Sequence, residues 1–185
     1  MQIEPQEIAD VLLVVPERRG DERGFLSEVF NARRLAEAGI DADFVQDNHS
    51  LSAVKGTVRG LHFQVPPFEQ AKLVRVVRGA ILDVAVDLRH GSPTFGRHVA
   101  VELSAANWRQ LFVPRGFAHG FCTLERDTEV LYKVDAYYSP EHDKGVHWRD
   151  PEIAIDWPVA EDAAVLSAKD RVQPLLRELP AWFVR

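Results

Sequence analysis

The stretch LVRVVRGAILDVAVDLR, Leu73 to Arg89, constrains the fold of this chain more than any other feature. Polar and apolar residues alternate along it, β-branched residues are dense, and Arg78-Gly79 breaks the pattern near the middle. Alternation gives a strand one buried and one exposed face, so this run reads as two strands joined by a tight turn. HVAVEL (His98 to Leu103), QLFVP (Gln110 to Pro114), GFCTL (Gly120 to Leu124) and TEVLYKV (Thr128 to Val134) continue the pattern. Turn-forming residues separate them, as in the loop GSPTFG from Gly91 to Gly96. Short strands in such close succession predict an antiparallel sandwich or barrel, not βαβ units. One helix is expected at NARRLAEAG, with Asn31 as N-cap and Gly39 just past the end. A short helical turn is expected from Ser167, and the tail from Pro174 reads as a short helix or an arm laid on the body.

With 185 residues, 46% of them hydrophobic, the chain is expected to form one domain, 1–185, around a real core. A net charge of -6 speaks against a general nucleic-acid binder, which carries a basic surplus. Cys122 is the only cysteine, so no intrachain disulfide forms, which suits a reducing compartment. The opening MQIEPQEIAD lacks the apolar run of a signal peptide. No window approaches the roughly 20 apolar residues of a membrane span, so a cytoplasmic protein with no membrane partner is expected.

A small barrel holds a ligand in its mouth or interior, and the residues facing that space recur at every second strand position. Its site is therefore expected as single residues scattered through the chain. TVRGLHFQ carries Arg59 and His62, three apart and so on opposite faces of an ideal strand unless Gly60 forms a bulge. His62, between Leu61 and Phe63, has the apolar company that keeps an imidazole neutral and able to accept a proton; a core histidine bonded to the backbone is the alternative. VPRGFAHGF reads as a loop that delivers His119 into an apolar cavity. LYKVDAYYSP offers the phenols of Tyr132, Tyr137 and Tyr138, as acids or as core fillers. In LSAKD, Ser167 to Asp170 fits a capping box, while the sharper reading makes Asp170 the carboxylate that orients His62. Arg23, Arg59, Lys72, Arg75, Arg115 and Lys169 are candidate cations for a diphosphate. A bound metal is not expected. The first element reads His62-Phe63-Gln64 where metal-binding cupins show HxH, Glu69 has the wrong spacing, and His49, His90, His98, His142 and His147 lie in polar or loop contexts.

Taken together, GDERGFLSEVFN, FVQDNHS, RGLHFQ, AKLVRVVRG, SPTFG, VPRGFAHGF, LYKVDAYYSP and LSAKD resemble, in content and order, the dTDP-4-dehydrorhamnose 3,5-epimerases, from about residue 10 to 176. The resemblance implies an all-β jelly-roll, cupin-type antiparallel barrel with a few short helices, a homodimer, a dTDP-sugar substrate and no cofactor. It implies that His62 is the catalytic base, Asp170 its carboxylate partner, Tyr132 the acid on the other face of the sugar, and Lys72 the cation for the enolate. Arg23, Glu28, Gln46, Asp47, Asn48, Arg59, His119 and Lys169 match substrate contacts, and Phe25 and Tyr138 aromatic walls. Asp143 stands where family members often have Glu, one methylene longer. The chemistry needs these types: protons beside a carbonyl are removed by a base, returned by an acid, and the enolate is held by positive charge. Three alternatives differ: an epimerase of one carbon only, a metal-dependent cupin enzyme, and a non-catalytic sugar-binding cupin.

Overall fold

The computed structural model describes residues 1–184. Its strands are β1 (Gln2–Pro5), β2 (Leu12–Val15), β3 (Arg18–Asp21), β4 (Gly24–Ser27), β5 (Gln46–Ser52), β6 (Val58–Gln64), β7 (Lys72–Arg78) and β8 (Ala80–Asp87). There follow β9 (Arg89–His90), β10 (His98–Ser104), β11 (Gln110–Val113), β12 (Phe117–Thr123), β13 (Thr128–Val134), β14 (Asp143–Gly145) and β15 (Phe183–Val184). Two antiparallel sheets dominate, ordered β1-β2-β11-β7-β13-β5 and β10-β8-β12-β6-β14, as the expected all-β architecture requires. β3 and β4 form a separate hairpin, and β15 makes a short parallel pair with β9.

The long alternating run crosses between the sheets. β7 belongs to one and β8 to the other, with the switch at Gly79, where φ is 75°. A Cβ there would stand 2.4 Å from Thr128 Oγ1, so glycine alone fits the corner. Ile81 and Ala85 of β8, Phe117 and Phe121 of β12, and Val74 and Val76 of β7 meet in the apolar core between the sheets. Leu61, Phe63, Val84, Val86 and Ala118 cover the other face of the five-stranded sheet, under Trp148, Ile153, Trp157 and Leu176 of the C-terminal segment. The helix α1 (Ala32–Glu37) is capped by Asn31, whose side chain accepts from the Arg34 N–H, and lays Leu35 against Val14, Leu73 and Phe112. The turn expected from Ser167 appears as a 3-10 helix at Asp170–Val172, and the tail combines a second such turn, Leu176–Glu178, with β15.

Two local features position functional side chains. β12 begins at Phe117, so His119 sits within a strand and not on a loop as expected. That segment is paired on both sides, with β8 and β6, which satisfies its backbone and leaves only the Pro-Arg-Gly corner as loop. On β6, His62 pairs with His119 and Arg59 with Phe121, so β6 carries one extra residue around Gly60. This bulge brings Arg59 and His62 to one cavity, although they are three apart.

Gly60 has φ of 134°, and a Cβ there would lie 2.5 Å from Gly120 Cα and 2.9 Å from the His119 carbonyl oxygen. Gly60→Ala is therefore expected to cost about 3 kcal/mol, lowering Tm by roughly 6–12 °C. Gly24→Ala, at φ of 127° but with no heavy atom within 4 Å, is expected to cost less. Thermal denaturation of the two variants checks the ranking.

Candidate active site

Both sheets contribute to the site. His62 on β6 faces inward beside His119, while Lys72 of β7 and Tyr132 of β13 come from the other sheet. One cavity of about 170 Å³ is lined by His62, Gln64, Gln70, Lys72, Tyr132, Gln46, Asn48, Tyr138, Asp143 and Lys169. A neighbouring one of about 220 Å³ is lined by His62, Lys72, Tyr132, Ser50, Arg59, His119, Phe121, Ser167 and Asp170. His62, Lys72 and Tyr132 belong to both, so they stand where the cavities meet.

His62 Nε2 lies 2.5 Å from Asp170 Oδ1; the carboxylate is 4% exposed and the imidazole 32%. Burial alone would raise the Asp170 carboxyl, but the His62 contact, Ser167 and the Gly60 N–H hold it below the usual carboxylate range. An ionised carboxylate only accepts, so Nε2 carries the proton and Nδ1 is left as the basic nitrogen. The capping reading of LSAKD is half right. The Asp170 N–H donates to Ser167 Oγ at 3.1 Å, while the Asp170 side chain is turned to His62.

Lys72 is buried, and among the described residues its ammonium donates only to the His62 carbonyl, at a long 3.5 Å. Burial pushes it down to about 8, against the opposing pull of Asp143 and Asp83. It remains largely charged at neutral pH and has hydrogen-bonding capacity left for a ligand oxygen. Burial pushes the Tyr132 phenol up, so it stays a proton donor.

A polar rim surrounds these groups. Asp143 pairs with Lys169 and accepts from the Tyr138 hydroxyl at 3.2 Å. Gln46 donates to Asn48 Oδ1 at 2.9 Å and accepts from the Tyr138 N–H at 3.2 Å. Gln64 is buried and ties down the tyrosine loop, accepting from the Ser139 N–H at 2.6 Å and donating to the Phe68 carbonyl at 2.7 Å.

Other expected residues lie elsewhere in the chain. Asp47 points to the outer face of its sheet and pairs with Lys133 at 2.8 Å. Arg23 pairs with Asp21, Glu28 with Arg34, and Phe25 packs edge-on against Trp108 at 5.0 Å, all on or beside the β3–β4 hairpin. Arg75 stacks on Trp108 and Arg115 pairs with Asp135, so neither of these cations reaches the cavities. Tyr137 is exposed and contributes only its carbonyl, to Gln64. Sequence reasoning passed over Ser50, Gln70 and, above all, Asp83, which binds His119. The available signal for Asp83 was a charge placed in phase with Ile81 and Ala85 on a strand otherwise written for burial. Among the described residues, no three His, Cys, Asp or Glu side chains are grouped as a metal site.

A barrel that brings a carboxylate-paired imidazole, a phenol and a buried ammonium to one small cavity has the equipment of an enzyme for acid–base chemistry on a small ligand. Residues 5–178 match the protein family described as dTDP-4-dehydrorhamnose 3,5-epimerase. A dTDP-4-dehydrorhamnose 3,5-epimerase of Sinorhizobium fredii is 55% identical over 183 residues, 99% of this chain and 93% of that protein. The Bacillus anthracis 3,5-epimerase, solved with TDP and PPi bound, is 53% identical with a TM-score of 0.91, over 94% of this chain and 98% of that one. The Legionella pneumophila 3,5-epimerase, solved with dTDP-4-keto-L-rhamnose, is 47% identical with a TM-score of 0.93, over 97% and 95%. The chain belongs to the dTDP-4-dehydrorhamnose 3,5-epimerase family.

The two readings of Asp170 separate on one substitution. Asp170→Asn keeps the backbone contact with Ser167 and removes the charge beside His62. Turnover is expected to fall on the order of a hundredfold or more with little change in Tm. Steady-state rates beside a thermal melt check this, and a large loss of Tm with turnover retained would assign Asp170 to capping.

Proposed function

We propose that the whole chain acts as one epimerase domain that inverts carbons 3 and 5 of dTDP-4-dehydro-6-deoxy-D-glucose, giving dTDP-4-dehydro-L-rhamnose, without a metal or organic cofactor. The observation that carries the mechanism is the meeting of His62, backed by buried Asp170, with Lys72 and Tyr132 where the two cavities join. The 4-keto group acidifies the protons on both neighbouring carbons. His62 Nδ1 removes one of them, and the electron pair moves to the carbonyl oxygen as an enolate. Lys72 donates to that oxygen, a role its charge and spare N–H groups suit. Tyr132 returns a proton to the opposite face, which inverts the centre, and exchange of protons with solvent resets the pair. Asp170 holds the imidazolium while it exists.

Lys169 and Arg59, one in each cavity, are the cations suited to the diphosphate, and Tyr138 with Gln46 and Asn48 to the nucleoside end. In this reading Lys169 exchanges Asp143 for phosphate oxygen on binding.

Arg23, Phe25 and Glu28 match substrate contacts in sequence yet sit away from both cavities of their own chain. Phe25 and Leu26 are exposed at the hairpin, 54% and 77%. This supports a homodimer in which each hairpin reaches the partner's cavity. Mixing refolded Arg23→Ala and His62→Asn chains, each inactive alone, is then expected to restore activity, because one interface of the mixed dimer holds both intact residues. No recovery, with mixed dimers shown to form, would place the hairpin's role within its own chain.

The activity itself is tested with dTDP-4-keto-6-deoxy-D-glucose in deuterated water, where label is expected at both carbons 3 and 5. His62→Asn is expected to lose at least roughly a hundredfold in turnover and to stop exchange. Tyr132→Phe keeps the packing and removes the acid, so exchange is expected to outlast inversion. Label at one carbon alone would favour a single-centre epimerase.

A further inference from the structure

Beside His62, on the neighbouring strands of the same sheet, lies a second imidazole–carboxylate pair for which the chemistry above has no use. His119 Nε2 donates to Asp83 Oδ1 at 2.7 Å, and the two side chains are 7% and 0% exposed. His119 lies directly beside His62 in the β12–β6 register, and Asp83 is one strand further on, level with Phe121. The other oxygen of Asp83, Oδ2, is buried and has no hydrogen-bond partner among the described residues. Leaving a carboxylate oxygen so is costly unless a nearby cation balances the charge.

The cations lining the same cavities differ in what they have free. Arg59 is held by Ser52 Oγ at 3.0 Å and the Leu51 carbonyl at 3.1 Å, and Lys169 is paired with Asp143. Among the described residues, Lys72 has only its long contact with the His62 carbonyl. The groups that share its surroundings are His62 and Arg59 on β6, His119 on β12, Tyr132 on β13, Asp143 on β14, and Lys169 and Asp170 beyond them. Asp170 is committed to His62, and Asp143 is shared with Lys169 and Tyr138. Asp83 is the remaining carboxylate: it pairs with His119, which lines the same cavity as Lys72, and a negative charge buried there favours the ammonium.

We propose that Asp83 is a positioning residue for the reaction: it fixes His119 with its proton on Nε2, and it supplies the buried negative charge that keeps Lys72 an ammonium. The role rests on the enolate-stabilising function given to Lys72 above. Asp83 touches no substrate. It acts through His119, whose Nδ1 is left as an acceptor for a ligand hydroxyl, and through Lys72, which must be charged to hold an enolate oxygen. A valine of similar size would pack in phase with Ile81 and Ala85, so the carboxylate costs folding energy that this role explains.

Asp83→Asn tests this, because the amide oxygen still accepts from His119 while the charge is gone. Lysine carrying ¹³C at Cε lets Lys72 be titrated by NMR, its signal identified by loss in Lys72→Met. The Lys72 midpoint is expected to fall by about one pH unit in Asp83→Asn. In turnover, kcat is expected to stay near the unmodified value at about pH 6.5 and to be roughly tenfold lower at about pH 8.5, with little change in KM, since the charged fraction of Lys72 sets the rate. An unchanged Lys72 midpoint would overturn the proposal and leave Asp83 a structural partner of His119. Should the variant not fold, ¹⁵N shifts of His119 in the unmodified protein decide: protonation on Nε2 alone supports the proposal, and on Nδ1 overturns it. An unmodified protein with no turnover would remove the epimerase reading, while the Lys72 midpoint would still report on Asp83.

Discussion

The contact between His62 and Asp170 joins residues 108 apart in the chain, and the rest of the site is arranged about it. Its carboxylate can be buried and ionised only because an imidazole, a serine hydroxyl and a backbone N–H converge on it. Those partners come from the β6 bulge and from the turn that begins at Ser167. The C-terminal segment therefore does more than cover the outer face of the five-stranded sheet with Trp148, Trp157 and Leu176. It closes the site from the side that neither sheet reaches.

β8 shows two ways of burying a negative charge on one strand face. Asp87 is fully buried and saturated: the Arg89 guanidinium and N–H, Ser92 and Thr94 all donate to it. Against the effect of burial these bonds hold its carboxyl at about 2, and Arg89 in turn lies over the Phe117 ring and pairs with Asp10. Such a network braces a corner and has nothing left for a ligand. Asp83, four residues earlier on the same face, keeps one oxygen without a partner among the described residues, and its own partner His119 lines a cavity that also holds the Lys72 ammonium. Asp87 is thus accounted for by its partners alone, whereas the unmet oxygen of Asp83 calls for a further account.

The β3–β4 hairpin follows different physics from the barrel. It stands on a stack of Arg18, Phe25, Trp108 and Arg75, with the Trp108 indole donating to Ser27 at 3.0 Å. Cation–π and edge-on aromatic contacts orient it without a hydrophobic core of its own. The hairpin so presents Phe25 and Leu26 outward, a surface that a second copy can use.

Much of this was legible in the amino-acid order. Alternation and turn residues determined the antiparallel strands of 73–134, because a side-chain period of two leaves no other way to bury one face. The Asn31 cap was equally local, since one side chain satisfies one backbone donor three residues on. Motif order pointed to the family, which the match over residues 5–178 bears out, and singled out His62, Asp170, Tyr132 and Lys72 as its candidate residues. Tertiary structure alone decided which side chains meet. His119 became a strand residue because β8 and β6 pair with it on both sides, and Asp47 faced away from the cavity because its neighbour Asn48 faced in. The distance of Arg23, Phe25 and Glu28 from their own cavities, and the pairing of Asp83 with His119, have no signature in local order. Contacts between strands depend on register, a bulge and the closure of two sheets, which are properties of the packed chain and of no single segment.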